Sequence, residues 1–252
     1  MKKQLAVFTI LLLVFAALAF ASYALVPIEQ LTGGQPISPA IAAIPPWQLG
    51  LMNALIVLVA YGLFGLAGIW FARKLGMPGI FREKVGWRAW VIEPFLIGIP
   101  LGILIIIGDR LFAFLGHWSG FTHPPFPLSV IASATAGIGE EILFRVFVLG
   151  LWAFLLNLIL RHWKATGVAL WIGNVIAAFA FAAGHLPSVM IMFHVTTPEA
   201  LPPVVLIELV VLNGAVGLVC GARYMRDGLV AAAGIHFWAD IVWHVIFPLI
   251  GG

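Results

Sequence analysis

Glu140, Glu141 and Arg145 lie together in the otherwise apolar segment GIGEEILFR at 137–145. An ionisable side chain at the centre of a bilayer costs about 2.5 to 3.5 kcal/mol, so three in one segment indicate a polar site that compensates this cost. On a helix, Glu141 and Arg145 are four residues apart and share a face, whereas Glu140 is turned about 100° away. We therefore expect Glu141 to neutralise Arg145 and Glu140 to be available for chemistry.

Two later apolar segments also carry polar residues at a four-residue spacing. Phe181 precedes His185 by four positions, where its ring would pack against the imidazole and exclude water. His236 and Asp240 are four apart and share a helix face, so the carboxylate can accept from one imidazole nitrogen and fix the tautomer of the other. These residues could perform acid–base chemistry at one site.

Three polar residues of the apolar segments fit no such pair. Glu208 is interpreted as an interhelical hydrogen-bonding residue and His244 as a supporting residue behind the site. The single cysteine, Cys220, is interpreted as a small buried hydrophobe, because one cysteine can form neither an intramolecular disulfide nor a cysteine metal cluster.

The composition indicates a membrane protein. Of the 252 residues, 63% are hydrophobic and 9% are charged, and the mean hydropathy is +1.12. Several apolar runs exceed about 18 residues, the length that crosses a bilayer. The pI is 9.3, yet the basic residues lie in short loops and form no patch, so we expect no nucleic-acid partner. These features predict one integral-membrane domain over 1–252.

Seven apolar segments predict an all-α, polytopic bundle of transmembrane helices with a polar site in the membrane interior. The uninterrupted stretch 128–160 would be about 50 Å long as a helix, which exceeds the bilayer. We therefore expect a span over 128–149 and a bent or interfacial segment after a break near Gly150. The seven predicted spans are 5–26, 49–72, 91–108, 128–149, 168–187, 204–222 and 229–247.

The distribution of charge predicts the orientation. Eleven of the thirteen Lys and Arg residues fall on one side of the seven-span arrangement, and the cytoplasmic side is expected to carry this excess. The amino terminus of this multi-pass protein of the cell membrane is thus predicted to be cytoplasmic and the carboxyl terminus external. The first segment could be a cleaved signal peptide, but it is longer than an apolar signal region of about 7 to 15 residues, so we favour a retained helix.

Three motifs complete a family pattern. The sequences EEILFR at 140–145, FAAGH at 181–185 and HFWAD at 236–240 match EExxxR, FxxxH and HxxxN/D. With these motifs the chain resembles the CPBP family of intramembrane proteases, which includes the CAAX prenyl endopeptidases and bacteriocin-processing or self-immunity proteins. Each motif alone is weak. All three, in order and inside apolar segments, make a specific match over a core at 128–245.

The resemblance implies a role for each matching residue. Glu140 corresponds to the catalytic glutamate and His185 to its partner, which together activate a water for attack on a peptide carbonyl. His236 and Asp240 correspond to the pair that stabilises the oxyanion. Asp240 stands where the prenyl endopeptidases tend to carry asparagine, so it could contribute only if protonated or through His236. The residues expected to support the site are Glu141, Arg145 and Phe181.

The expected protease needs no cofactor and acts on a membrane-associated peptide or protein, including lipid-modified ones. Zinc is the alternative within the enzyme class, because two histidines and a glutamate are common zinc ligands; the local signature HExxH is absent. A non-enzymatic membrane protein, such as a proton-coupled carrier or a regulatory scaffold, is the alternative outside it. Carriers usually contain repeated halves, and no repeat is visible in this sequence.

Overall fold

The computed structural model describes residues 1–27 and 37–251, and the regular structure within them is entirely helical. Seven helices are long and apolar enough to cross a membrane, which confirms the predicted fold class. Short helices at Pro39–Ala42 and Pro198–Ala200 lie in two of the loops. The seven long helices are α1 (Lys2–Leu25), α2 (Pro46–Leu75), α3 (Trp87–Gly116), α4 (Leu128–Trp163), α5 (Thr166–Met192), α6 (Pro203–Asp227) and α7 (Leu229–Leu249).

Predicted helix ends were wrong where a charged residue was taken to mark a loop, as α3 and α6 show. The predicted third span ended at residue 108, but α3 continues to Gly116 and Asp109 is fully buried within it. Arg223 lies inside α6 with only 5% of its surface exposed, and its guanidinium is 2.7 Å from the Glu93 carboxylate of α3. A charge is tolerated within an apolar helix when a neighbouring helix supplies the partner.

Helix α4 lies at the centre of the bundle. It contacts α1, α2, α5, α6 and α7, while α3 packs against α6 and α7. Small residues allow the close approach of these helices. At Gly98 and Gly102 of α3, an added Cβ would lie 2.6 Å from the carbonyl oxygen of Ile235 and 2.6 Å from the Cβ of Val242, respectively. Glycine at these positions therefore sets the spacing between α3 and α7.

Three of the long helices contain π-helical segments, at Val57–Tyr61, Glu141–Leu149 and Ile241–Ile246. The predicted break near Gly150 is absent: α4 is continuous, and Gly150 is where the π-helical segment ends and the α-helix resumes. Helix α5 has a turn at His185, and Pro187 follows in the first turn of the next helical segment. Since π-helical segments often occur at functional sites, these irregularities draw attention to the residues beside them.

The loop between α2 and α3 is docked on the junction of α6 and α7. Gly228 joins these helices with φ +91°, where an added Cβ would also meet the backbone of Ile80 at 2.8 Å. The Leu229 amide donates to the Gly79 carbonyl at 3.0 Å. In addition, the side chain of Gln4 bonds the backbone of Ile80 and Phe81. These bonds connect the start of α1 to the end of the bundle that is predicted to be cytoplasmic.

Candidate active site

The Glu141–Arg145 pair forms as predicted. Glu141 Oε2 lies 3.2 Å from Arg145 Nε, and neither side chain is exposed. The guanidinium also approaches the Ala177 carbonyl oxygen at 3.5 Å and lies 4.7 Å from the centre of the Phe181 ring. Glu141 opens the π-helical segment, so the spacing that brings these side chains together belongs to a π-helix and not to the α-helix assumed from the sequence. The pair stabilises the contact between α4 and α5.

Glu141 also holds His236, which the sequence did not predict. The Nδ1 atom of His236 lies 3.0 Å from Glu141 Oε1, and both residues are buried. We had assigned this orienting role to Asp240 on the same helix as His236. Asp240 Oδ2 is instead 3.7 Å from Nε2, on the other side of the ring. One buried carboxylate therefore links Arg145 of α4 to His236 of α7.

Glu140 lies between the two histidines. Its Oε2 atom is 3.9 Å from His185 Nε2 and 3.7 Å from His236 Nε2, and 33% of its side chain is exposed. Among the described residues, no Lys or Arg is in ion-pair distance of this carboxylate. The observed geometry thus agrees with the expectation that Arg145 neutralises Glu141, whereas Glu140 has no Lys or Arg partner among the described residues.

The turn in α5 orients His185. Its Nδ1 atom is 2.8 Å from the Phe181 carbonyl oxygen, which can only accept a hydrogen bond, so Nδ1 carries the proton and Nε2 faces Glu140. The tautomer follows from this contact. The Phe181 ring lies 4.7 Å from the His185 ring and 5.5 Å from the His236 ring, both edge to face. The predicted packing of Phe181 on the histidine is present.

Glu140 lies where two cavities meet. The first, of about 220 Å³, is lined by all four predicted catalytic residues, and its walls come from α3 to α7. The second, of about 840 Å³, lies between α1, α2, α4, α5 and the loop 117–127. Glu140 lines both, together with Ala132, Ala136 and Ser188 among others. A group entering through the larger cavity would therefore reach the carboxylate of Glu140 before the interior of the smaller one.

The loop between α3 and α4 covers one side of the site through a pair of histidines. His123 Nδ1 lies 3.0 Å from His244 Nδ1, and the neighbouring Thr122 lines both cavities. Burial lowers the pKa of His123, an effect that the charge of Asp109 partly reverses and that of Arg110 reinforces. His123 was not singled out from the sequence, because its partner in α7 is 121 residues away.

Sequence reasoning also missed the setting of Glu208 and Asp109. Both are fully buried, on α6 and α3, and their carboxyl groups interact with one another. Glu208 lines the smaller cavity together with Asn213 and His244. Glu208 was interpreted as an interhelical hydrogen-bonding residue, and its neighbour on α3 is a second carboxyl group, which can bond it only by sharing a proton. The signal available in the sequence was the apolar run 111–116, which shows that the helix continues past Asp109.

No group of three His, Cys, Asp or Glu side chains among residues 1–27 and 37–251 is arranged to hold a metal ion. The zinc alternative therefore gains no support from the arrangement of these ligands, although histidine and glutamate are suitable in kind.

Comparison with known families gives one match. Residues 122–242 match the family described as type II CAAX prenyl endopeptidase Rce1-like. No curated protein and no solved structure matches the chain. The matched range contains Glu140, His185, His236 and Asp240, and it leaves out Asp109 and the first three helices.

Proposed function

We propose that this protein is a glutamate-dependent intramembrane endopeptidase with Glu140 as its base, in agreement with the match of residues 122–242 to the family described as type II CAAX prenyl endopeptidase Rce1-like. The observation that carries the proposal is the position of the Glu140 carboxylate. It lies between the Nε2 atoms of His185 and His236, at 3.9 and 3.7 Å, at the junction of two cavities.

Glu140 and His185 activate the water. The 3.9 Å separation of Oε2 and Nε2 is longer than a direct hydrogen bond and suits a bridging water. The carboxylate takes one proton from this water while the oxygen attacks the peptide carbonyl. Since Nδ1 of His185 donates to the Phe181 carbonyl, its Nε2 atom can accept the second hydrogen bond of the same water.

His236 stabilises the oxyanion of the tetrahedral intermediate. With Nδ1–H held by Glu141, a donor at Nε2 requires a second proton on the ring. Three carboxyl groups surround the imidazole and compensate that charge, at 3.0 Å for Glu141 and 3.7 Å for both Glu140 and Asp240. Asp240 therefore acts through His236. A donor of this kind contributes about 2.7 to 4 kcal/mol to transition-state stabilisation.

Collapse of the intermediate completes the reaction. The proton held by Glu140 passes to the leaving nitrogen, the C–N bond breaks, and a carboxylic acid and an amine result. Water is the only co-reactant, and Glu140 returns to its ionised form. The same group thus acts first as a base and then as an acid.

The substrate is a membrane-associated protein, and a carboxyl-terminal segment next to a lipid-modified cysteine is the substrate class that the family suggests. The larger cavity, lined in part by α1 and the loop 117–127, provides a route by which such a segment can reach Glu140. We propose that the protein lies in the cell membrane with its amino terminus in the cytoplasm, in agreement with the excess of Lys and Arg on that side.

A comparison of membrane proteomes tests this function. Cells producing wild-type protein, Glu140→Gln or the control Glu83→Gln, which changes an exposed loop residue, are compared by mass spectrometry of protein termini. We expect new carboxyl termini that are present with wild-type and Glu83→Gln and absent with Glu140→Gln. Identical termini in all three would contradict a proteolytic role and favour a non-enzymatic one.

A further inference from the structure

Glu208 is a buried carboxyl group without a donor. Its surface is 0% exposed, and neither of its oxygens has a hydrogen-bond partner within the part of the chain that the structure describes. A buried acceptor without a hydrogen-bond donor destabilises the protein, and more so when it is charged. Such a cost is offset when a ligand supplies the missing donor. Glu208 faces the smaller cavity, so a ligand there can reach it.

The carboxyl group of Asp109 interacts with Glu208 but supplies at most one shared proton. Asp109 lies beside it and is also 0% exposed, with Oδ1 accepting from the Phe121 amide at 3.2 Å. Arg110 approaches Asp109 only at 4.0 Å, and its half-exposed side chain lies against the Phe247 ring. Two carboxyl groups can bond one another only by sharing a proton. The pair therefore retains at least one negative charge or offers a single shared proton.

The rest of the smaller cavity is also acidic. Its lining includes the carboxyl groups of Glu140 and Asp240 in addition to Glu208, and none of the described residues that line it is Lys or Arg. Three histidines also line it, His185, His236 and His244. With the proton that the mechanism places on His236, the cavity still holds more carboxyl groups than cations. Leu209, Leu212 and other aliphatic side chains form the walls. This combination suits a cation on an aliphatic stem, since such a side chain buries its methylene groups against apolar surface and directs its charge to the acidic end. The acidic lining disfavours binding of a free carboxylate in this cavity.

The size of the cavity limits what enters. At about 220 Å³ it accommodates roughly one amino-acid side chain, and it extends from Glu140 to Glu208. A side chain that reaches Glu208 therefore belongs to a residue next to the bond positioned at Glu140. Asp109 lies outside the residues that match the family, whereas Glu208 lies within them.

We propose that Glu208, supported by Asp109, is the specificity-determining group of a subsite that binds a lysine or arginine side chain of the substrate next to the scissile bond. This inference rests on the proposed protease function. Glu208 binds substrate and takes no part in bond cleavage. The carboxylate replaces the water lost by the entering cation with a charge-assisted hydrogen bond.

A matched pair of lipid-anchored peptides tests the subsite. Purified wild-type protein is first incubated with a library of prenylated peptides randomised on both sides of the cysteine, and the products are sequenced by mass spectrometry. We expect enrichment of Lys and Arg at one position next to the cleaved bond. A cleaved sequence is then prepared with lysine or with the uncharged, similarly shaped norleucine at that position. The wild-type kcat/KM is expected to favour lysine by about 10- to 100-fold, the range of a hydrogen bond to a charged group.

Substitutions assign the preference to the carboxyl pair. Glu208→Gln keeps the shape and removes the charge, so the lysine-to-norleucine ratio should fall to within about threefold. Asp109→Asn should also lower the lysine-to-norleucine ratio, and this variant provides the test if Glu208→Gln does not fold. The control Glu199→Gln changes an exposed loop residue and should keep the wild-type ratio. A wild-type ratio near one, or a preference that survives both Glu208→Gln and Asp109→Asn, would overturn the assignment.

Binding separates this inference from the protease proposal. The thermal stabilisation of detergent-purified protein is measured with the lysine peptide and with the norleucine peptide, which requires no cleavage. Greater stabilisation by the lysine peptide in wild-type than in Glu208→Gln supports the subsite even if neither peptide is cleaved. Cleavage of both peptides with equal stabilisation refutes the subsite and leaves the protease function intact. Products that persist with Glu140→Gln refute the proposed mechanism instead.

Discussion

Substitution of Arg145 by alanine should destabilise the protein strongly, because it leaves Glu141 charged and buried. Arg145 and Glu141 are both 0% exposed and lie 3.2 Å apart. Removing one member of such a pair costs about 3 to 5 kcal/mol. His236 remains at 3.0 Å from Glu141 and can compensate part of the charge, which places the expected loss at the lower end of that range. Loss of the contact with the Phe181 ring, at 4.7 Å, adds about 0.5 to 2 kcal/mol.

The assay is thermal unfolding of the purified protein in detergent. The two contributions give a loss of about 3.5 to 5 kcal/mol. For a chain of this length, 1 kcal/mol shifts Tm by about 2 to 4 °C, so Arg145→Ala should lower Tm by about 7 to 20 °C. Arg226→Ala is the matched control: its guanidinium also contacts two carboxylates, Glu93 and Asp227, but its side chain is 61% exposed. Asp227 is buried, yet it keeps Arg223 as a partner at 3.2 Å in this variant. Exposed pairs contribute about 0 to 1 kcal/mol, so the control should shift Tm by less than about 4 °C.

The double variant Glu141→Gln/Arg145→Met removes the charges of both members of the ion pair. Replacement of a whole buried pair is often close to neutral, so this variant should be more stable than Arg145→Ala alone. Equal Tm values for Arg145→Ala and Arg226→Ala would refute the reasoning, since burial would then make no difference to the cost of losing the partner. A double variant less stable than Arg145→Ala would contradict the claim that the uncompensated charge is the cause.

The remaining predictions concern topology and chemistry. Reporter fusions should show cytoplasm at Met77, Lys164 and Arg226 and the exterior at Glu199 and at Gln35, which lies outside the described residues; reversal at two of these sites would contradict the orientation. Measured kcat/KM should fall about 10²- to 10³-fold for His236→Ala, as for a lost oxyanion donor, and a loss below threefold would remove that role. In single-turnover assays, His185→Ala combined with Glu140→Gln should be little slower than either single variant, because groups that act together give non-additive losses; multiplied losses would indicate independent roles. Chelators should leave the rate of purified protein unchanged, and inhibition that zinc reverses would favour the metal alternative.

The sequence predicted the helices well because each apolar run is long enough to cross the bilayer. It misplaced helix ends where a charged residue has a distant partner. Arg223 bonds Glu93 and the Ala89 carbonyl, about 130 residues earlier in the chain. No local pattern identifies such a partner, so a charge that belongs inside a helix looks like the start of a loop.

The structure brings the predicted site residues together, but the sequence did not predict most of their contacts. The i,i+4 pair Glu141–Arg145 lies within one helix, so the spacing predicted the contact although the segment is π-helical. The contact between Glu141 and His236 joins residues 95 positions apart, so only the packing of α4 against α7 reveals it. The same limit applies to Asp109 and Glu208, which come together from α3 and α6. The π-helical segments at 141–149 and 241–246 depart from the 3.6-residue period on which sequence reasoning rests.

The most direct test of the central claim is the turnover of purified Glu140→Gln on a peptide that wild-type protein cleaves. Glutamine keeps the size of the side chain and removes the base that lies between His185 and His236. We expect kcat to fall by several orders of magnitude while the variant still folds and binds the peptide with an affinity close to that of wild-type. Cleavage by Glu140→Gln at an undiminished rate would show that Glu140 is not the base.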